Sequence, residues 1–377
     1  MLLPANVIHY LYHAASTAEG FGLFAERKAP KRRTAGNKRK LPLPFRGVVV
    51  FSVFLPNLTY RKSRESTLQR IGKTRGVKGA ASWCAFAAVL YLVCQYALQA
   101  IVSFAMGLRV EGASLSDPVG FSQVSVNVIL LVIGVLALAG PIAWLLKVTR
   151  LDIGDLRIAR PPQWSPVFCL VLFLGLTNLG NIVGGLITRL FGAHGSSTVL
   201  PAGGLELVLS FLSLCVLPAV GEELLFRGAL QGLMRPCGSA AAIFGPALLF
   251  ALLHMDLAQS ITAFAGGLFL GWLTERTGSV LPGMLLHFVN NCIAFADIYF
   301  KLYYPGTAVT VVELIVLLAF PLAAAWLLWR AVTQQGFDFT AGMRPGVDAA
   351  AVFSSPAYTL AVLVLAGATI WQSVAPL

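Results

Sequence analysis

The sequence predicts an all-α fold, a polytopic membrane bundle of about eight transmembrane helices with a ninth apolar run near the C-terminus. Three observations carry this. The 377 residues are 57% hydrophobic and only 12% charged, with a mean hydropathy of +0.77, whereas soluble domains carry about 25% charged residues. Long apolar runs recur throughout the chain after residue 80. The connections between those runs alternate between basic and non-basic, as spanning helices require.

Charge separates the N-terminal segment from the rest. Residues 1–80 hold 16 of the 28 Lys and Arg and three of the 16 acidic residues (Glu19, Glu26, Glu65), a net +13, which leaves −1 for residues 81–377. The overall basicity therefore belongs to the leader, and no nucleic-acid partner is expected from it. A juxtamembrane basic segment that stays cytoplasmic and touches anionic lipid explains it better. Basic clusters at 31–33, 38–40 and 61–64 without a sustained helical period predict a mostly disordered segment over 1–80. The apolar stretch 47–55 is too short to span a bilayer, which takes about 20 residues. An Arg-rich, acid-poor leader also fits an organelle transit peptide. His9 and His13 lie in this segment and carry no functional weight.

The apolar runs fall at about 82–108, 124–146, 165–188, 204–234, 239–254, 258–274, 279–297, 309–329 and 357–373. The first eight form the body, residues 81–335, and the last lies in a C-terminal tail, 336–377. With the N-terminus inside, the cytoplasmic connections hold Lys147, Arg150, Arg157 and Arg160, then Arg235, then Arg276, then Arg330 and Arg344. The opposite connections hold Arg109 with Glu111 and Asp117, then Arg189, Asp256 and Lys301. No repeat of 20–50 residues is visible. The six cysteines (84, 94, 169, 215, 237, 292) include no C-x-x-C and suggest neither a disulfide framework nor a zinc cluster.

An ionisable group inside a span costs about 2.5–3.5 kcal/mol on insertion scales, so those present are paired or functional. They concentrate in the middle of the chain, in "GEELLFRG" (221–228), "FALLH" (250–254) and "HFVNN" (287–291). Helical spacing pairs Glu223 with Arg227, four residues on. Glu222 is rotated about 100° away, so Arg227 cannot serve both carboxylates. His287 and Asn291 share a face, which favours Asn291 over Asn290. At 1.5 Å per residue Glu222 and His254 lie about 20–24 Å above the "RPCG" turn at 235–238, and His287 about 14 Å above the turn at 277–278. The three helices are thus expected to converge on one buried pocket. Pro218 should kink its span and release a backbone carbonyl, and Gly221 and Gly228 permit close helix approach.

A carboxylate in an apolar pocket gains basicity, and a nearby histidine can help hold and deprotonate a water. Attack on a peptide carbonyl creates an oxyanion, which a histidine and an asparagine can stabilise. This gives Glu222 as general base, His254 as its partner on the water, His287 and Asn291 as oxyanion donors, and Glu223 with Arg227 as the pair that fixes the helix.

The same residues also fit E-E-x-x-x-R, F-x-x-x-H and H-x-x-x-N in that order. In this they resemble the CAAX-processing and bacteriocin-processing (CPBP, or Abi) family of intramembrane proteases, related to the prenyl-protein CAAX endopeptidases. The likeness covers about residues 214–295. It implies a helical intramembrane endopeptidase with the catalytic assignments just given, acting on a membrane-associated or prenylated substrate. The competing readings are an ion- or proton-coupled transporter using the same polar groups as a path, and a non-catalytic membrane scaffold of the same fold.

Bland roles are expected elsewhere. His194 reads as a loop histidine, and Asp256 and Glu275 as solvated loop charges. Glu222, His254 and His287 form a two-histidine, one-carboxylate set of the kind zinc uses, but the H-E-x-x-H spacing is absent. A metal-independent glutamate protease with no cofactor is therefore preferred over a zinc metalloendopeptidase.

Overall fold

A computed structural model describes residues 76–111, 113–115, 118–161, 164–192 and 200–374. The basic leader up to residue 75, with its expected disorder, and His194 lie outside the described residues. Among the described residues, nine main helices follow in order: α1 (Val77–Arg109), α2 (Gln123–Thr149), α3 (Pro166–Leu190), α4 (Gly204–Cys237), α5 (Ser239–Leu252), α6 (Leu257–Thr277), α7 (Leu281–Tyr303), α8 (Thr307–Gln335) and α9 (Pro356–Val374). No strand occurs among the described residues. The chain is a polytopic helical membrane protein: eight of these helices are long and apolar enough to cross a bilayer.

Two boundaries differ from expectation. Helix α1 begins at Val77, inside the segment expected to be disordered to residue 80, and buries Ala80 and Ala81. The run at 239–254 yields only a 14-residue helix, α5, about 21 Å long and short of a ~30 Å hydrocarbon core. It ends in a tight turn, with His254 N–H donating to the Ala251 carbonyl and Met255 N–H to that of Leu252. Met255 has φ +51°, so the chain reverses at once into α6. The α5–α6 turn, and His254 on it, therefore stop short of the far end of the bundle. The run at 357–373, in contrast, becomes the full-length α9 and completes the eight.

The interior has two main parts. One is built by α1, α2, α4, α5 and α9 around Leu138, Leu145, Phe226, Leu230, Phe250 and Tyr358. The other is built by α3, α6, α7 and α8 around Phe173, Phe269, Leu273 and Leu286. Glycines set the close crossing of α3 on α6: a Cβ at Gly184 would meet the Ala258 carbonyl oxygen at 2.8 Å and its Cα at 2.9 Å. Lipid tails supply no hydrophobic drive between helices, so such backbone approach is how the pair gains contact. Thr262 adds to it by donating to Asn181 Oδ1 at 2.8 Å, and Asn178 ties α3 to α8 by donating to the Val316 carbonyl at 3.0 Å.

Glu275 is not the solvated charge its position suggested. Its side chain is buried and meets three arginines: Arg235 at 2.9 Å, Arg344 at 2.8 Å and Arg157 at 3.3 Å. Gln231 and Ser239 donate to it as well. Several of the connection arginines thus turn inward to a common acid, which ties the ends of α4, α5 and α6 to the strap between α8 and α9. That strap is held further by Trp272 donating to the Phe339 carbonyl, Arg276 to that of Ala341, and Val347 N–H to that of Cys237. Asp256 is also buried, and its carboxylate caps α6 by accepting from the Gln259 N–H at 2.9 Å. A helix N-terminus leaves several N–H groups without internal partners, and the aspartate satisfies one.

Candidate active site

Helix α4 carries the first motif on an irregular backbone. It widens to π-helical turns over Leu212–Val216 and Glu223–Leu230, with an α-helical stretch from Leu217 to Glu222 between them. Wide turns of this kind leave hydrogen bonds uneven and recur at functional positions. Close neighbours hold them: a Cβ on Gly221 would collide with Leu138 of α2, and one on Gly228 would press on Leu156. Both glycines act as expected from sequence.

Glu223 and Arg227 form the predicted pair, Nη1 to Oε1 at 2.7 Å, both fully buried. The sequence did not reveal that the same Oε1 also accepts from His287 Nδ1 at 3.0 Å. An ionised carboxylate only accepts, so His287 carries its proton on Nδ1 and turns Nε2 the other way. Nε2 then lies 3.9 Å from Glu222 Oε2. His287 thus stands between the two adjacent carboxylates, bonded to one and facing the other.

Two glycines make room for this, and neither was singled out in the sequence. A Cβ on Gly283, one turn before His287 on α7, would come within 3.0 Å of Glu223 Oε2. One on Gly267 of α6 would meet Arg227 Nη2 at 3.4 Å. The available signal was G-x-x-x-H at 283–287, a small residue on the face that presents the histidine.

Phe250 links His254 to the group. Its ring lies edge-on to His254 with centroids 5.0 Å apart and to His287 at 6.1 Å. The Arg227 guanidinium stands 4.3 Å over the same ring. The aromatic face attracts the cation, a contact worth about 2 kcal/mol or more when desolvated. His254 Nδ1–H donates to the Phe250 carbonyl at 2.9 Å, which leaves Nε2 as its basic nitrogen. The phenylalanine of F-x-x-x-H therefore orders both imidazoles and the guanidinium.

Asn291 is buried, and its Nδ2 donates to the Leu214 carbonyl of α4 at 3.2 Å. Asn290 turns away and accepts from Thr177 of α3 at 3.4 Å. Of the two asparagines, Asn291 is the one that reaches α4. His287 Nε2 and Asn291 Oδ1 are buried polar atoms with no hydrogen-bond partner among the described residues. Groups in that state are costly, and in native proteins they call for an explanation such as a catalytic role. No three His, Cys, Asp or Glu side chains among the described residues are grouped so as to hold a metal ion.

The fold and the site are those of a helical membrane protein with acid, imidazole and amide groups gathered in its interior. Residues 204–293, about a quarter of the chain, match the family described as Rce1-like, type II CAAX prenyl endopeptidase. Over that segment the chain is similar to the CAAX-processing family of membrane endopeptidases, which are hydrolases by class. The segment contains all six predicted site residues. No curated protein and no solved structure matches the chain.

Proposed function

We propose that this chain is a metal-independent intramembrane endopeptidase in which Glu222 activates water. The observation that carries the reading is the 3.9 Å approach of Glu222 Oε2 to a His287 Nε2 that is buried and has no hydrogen-bond partner among the described residues. A water between these groups and His254 loses a proton to Glu222 as its oxygen attacks the peptide carbonyl. The carbonyl oxygen becomes an oxyanion, and protonated His287 and the Asn291 amide donate to it. As the C–N bond breaks, Glu222 returns the proton to the leaving amine.

Charge counting supports these roles. Glu223 and Arg227 cancel. With one proton shared between Glu222 and His287 the four groups sum to zero, the balance that a buried site tolerates most cheaply. Glu223 holds the imidazolium by its Nδ1–H, so that Nε2–H points to the reacting oxygen.

The substrate is a membrane-associated chain, and a prenylated C-terminal peptide is the class that the matching family's description names. The basic N-terminal segment and the connections that hold Arg150, Arg235, Arg276 and Arg344 face the cytoplasm. Cleavage of a quenched fluorescent prenyl-peptide by the purified chain in nanodiscs tests the reading, with Glu222→Gln as the control. Glu222→Gln should lower kcat by at least ~10³-fold. Equal cleavage by both proteins would refute the mechanism, and proton-coupled flux without cleavage would identify a transporter.

A further inference from the structure

We infer that Pro218 is a positioning residue for the reaction, acting through the Leu214 carbonyl on the amide of Asn291. The inference rests on the oxyanion role given to Asn291 above. In a regular helix the carbonyl of residue 214 pairs with the N–H of residue 218, and proline has none. The helix is also widened just before this proline, over Leu212–Val216. At this one carbonyl the Asn291 Nδ2 docks from α7, 3.2 Å away.

The chemistry of that bond fixes which way the amide faces. A carbonyl oxygen can only accept, so the end of Asn291 against Leu214 must be its NH₂. One N–H is engaged there, the second stays on the same nitrogen, and Oδ1 lies on the other side, buried and unpartnered among the described residues. Without an acceptor at 214 the amide is free to turn over, because its two ends have nearly the same shape. A flipped amide would present an oxygen lone pair where a developing oxyanion needs a donor, turning attraction into repulsion. Pro218 withholds the backbone donor that would compete for the Leu214 oxygen, and so keeps that oxygen available to α7. The sequence already indicated a released carbonyl near Pro218. The structure assigns it an occupant, and the occupant is a catalytic side chain.

The test uses the full chain in nanodiscs with the quenched prenyl-peptide and four variants. Asn291→Ala examines the underlying reading: undiminished kcat there would overturn the oxyanion role and this inference with it. Pro218→Ala restores a backbone N–H and should lower kcat about tenfold with KM within about twofold. Pro218→lactic acid, introduced as the hydroxy-acid counterpart of alanine, lacks both the ring and the N–H, and should keep most of the wild-type rate. Pro218→Ala combined with Asn291→Ala should be no slower than Asn291→Ala alone. The inference is overturned if Pro218→Ala keeps the wild-type kcat while Asn291→Ala is slow. It is equally overturned if the lactic-acid variant is as slow as Pro218→Ala, since the ring rather than the missing N–H would then matter. Where Pro218→Ala does not fold, the lactic-acid variant decides alone: a rate near wild type supports the inference and a tenfold loss rejects it.

Discussion

Glu223 Oε1 lies 3.0 Å from His287 Nδ1 and 2.7 Å from Arg227 Nη1, so one carboxylate oxygen orients the imidazole and neutralises the guanidinium. The adjacent acid, Glu222, touches neither nitrogen and faces Nε2 instead. Two neighbouring carboxylates thus make different contacts, one bonded to the histidine and the other facing its second ring nitrogen.

Replacing the holding carboxylate should affect rate and stability together. Glu223→Gln keeps the shape but removes the charge opposite Arg227 and His287. The expected result is a kcat loss on the order of 10²–10⁴-fold, as when an orienting acid is neutralised behind a catalytic histidine. Breaking the buried ion pair should also cost about 3–5 kcal/mol. Kinetics at a temperature where the variant remains folded, paired with thermal unfolding in detergent, separate the two. A variant that turns over normally would show that Glu223 serves packing alone.

Phe250 is the shared wall of both histidines and the seat of Arg227. Phe250→Leu removes two ring-edge contacts and the cation–π contact while staying apolar. It should destabilise by about 1–3 kcal/mol and lower kcat at least tenfold. Phe250→Tyr, which keeps the ring, should be closer to wild type in rate. If leucine and tyrosine perform alike, the ring is not what orders the imidazoles.

The buried acid among three arginines yields a prediction for stability rather than catalysis. Glu275→Ala strands Arg235 and Arg157 in the interior, and the expected cost is about 3–5 kcal/mol in thermal unfolding. Arg344 is 28% exposed, so Arg344→Ala should cost no more than about 1 kcal/mol after screening by solvent. Equal melting of Glu275→Ala and wild type would mean that the cluster ties nothing together.

Much of this was legible in the sequence because period and cost are local properties. Apolar length located the helices, and the expense of charge in hydrocarbon singled out 222–227, 254 and 287–291. Spacing alone separated Asn291 from Asn290 and paired Glu223 with Arg227. Glu275 and Asp256 were misread because each lies at a helix end, where sequence cannot distinguish a side chain facing water from one turned under the bundle. The Glu223–His287 bond joins residues 64 apart, and no periodicity reports contacts between helices. The shortness of α5 was hidden as well: its apolar run is followed by a turn that only the left-handed backbone at Met255 makes tight.

Glycine positions allow a contrast between crowded and open sites. Gly184→Ala must displace the Ala258 backbone, and overpacking of this kind costs about 1–3 kcal/mol. Gly140, on α2, has no atom within 4 Å of a built Cβ. Gly140→Ala should therefore be neutral or stabilise by up to about 1 kcal/mol through helix propensity. Thermal unfolding of both variants side by side checks this, and similar melting temperatures would refute the close α3–α6 crossing.

The last prediction concerns metal. A carboxylate and two imidazoles can in principle bind zinc, with donor atoms about 3.3 Å apart for bonds of about 2.0 Å in a tetrahedron. Here Glu222 Oε2 and His287 Nε2 are 3.9 Å apart. His254 is held by its Nδ1 bond to the Phe250 carbonyl, and the Phe250 ring lies edge-on to both imidazoles. Among the described residues the three side chains do not form a ligand group as they stand. Dialysis against a strong chelator should therefore leave peptide cleavage within about twofold of the untreated protein, and added zinc should not raise it. Loss of cleavage on chelation, with recovery at one zinc per chain by elemental analysis, would show instead that these residues rearrange around a metal and that Glu222 is a ligand or a base beside one.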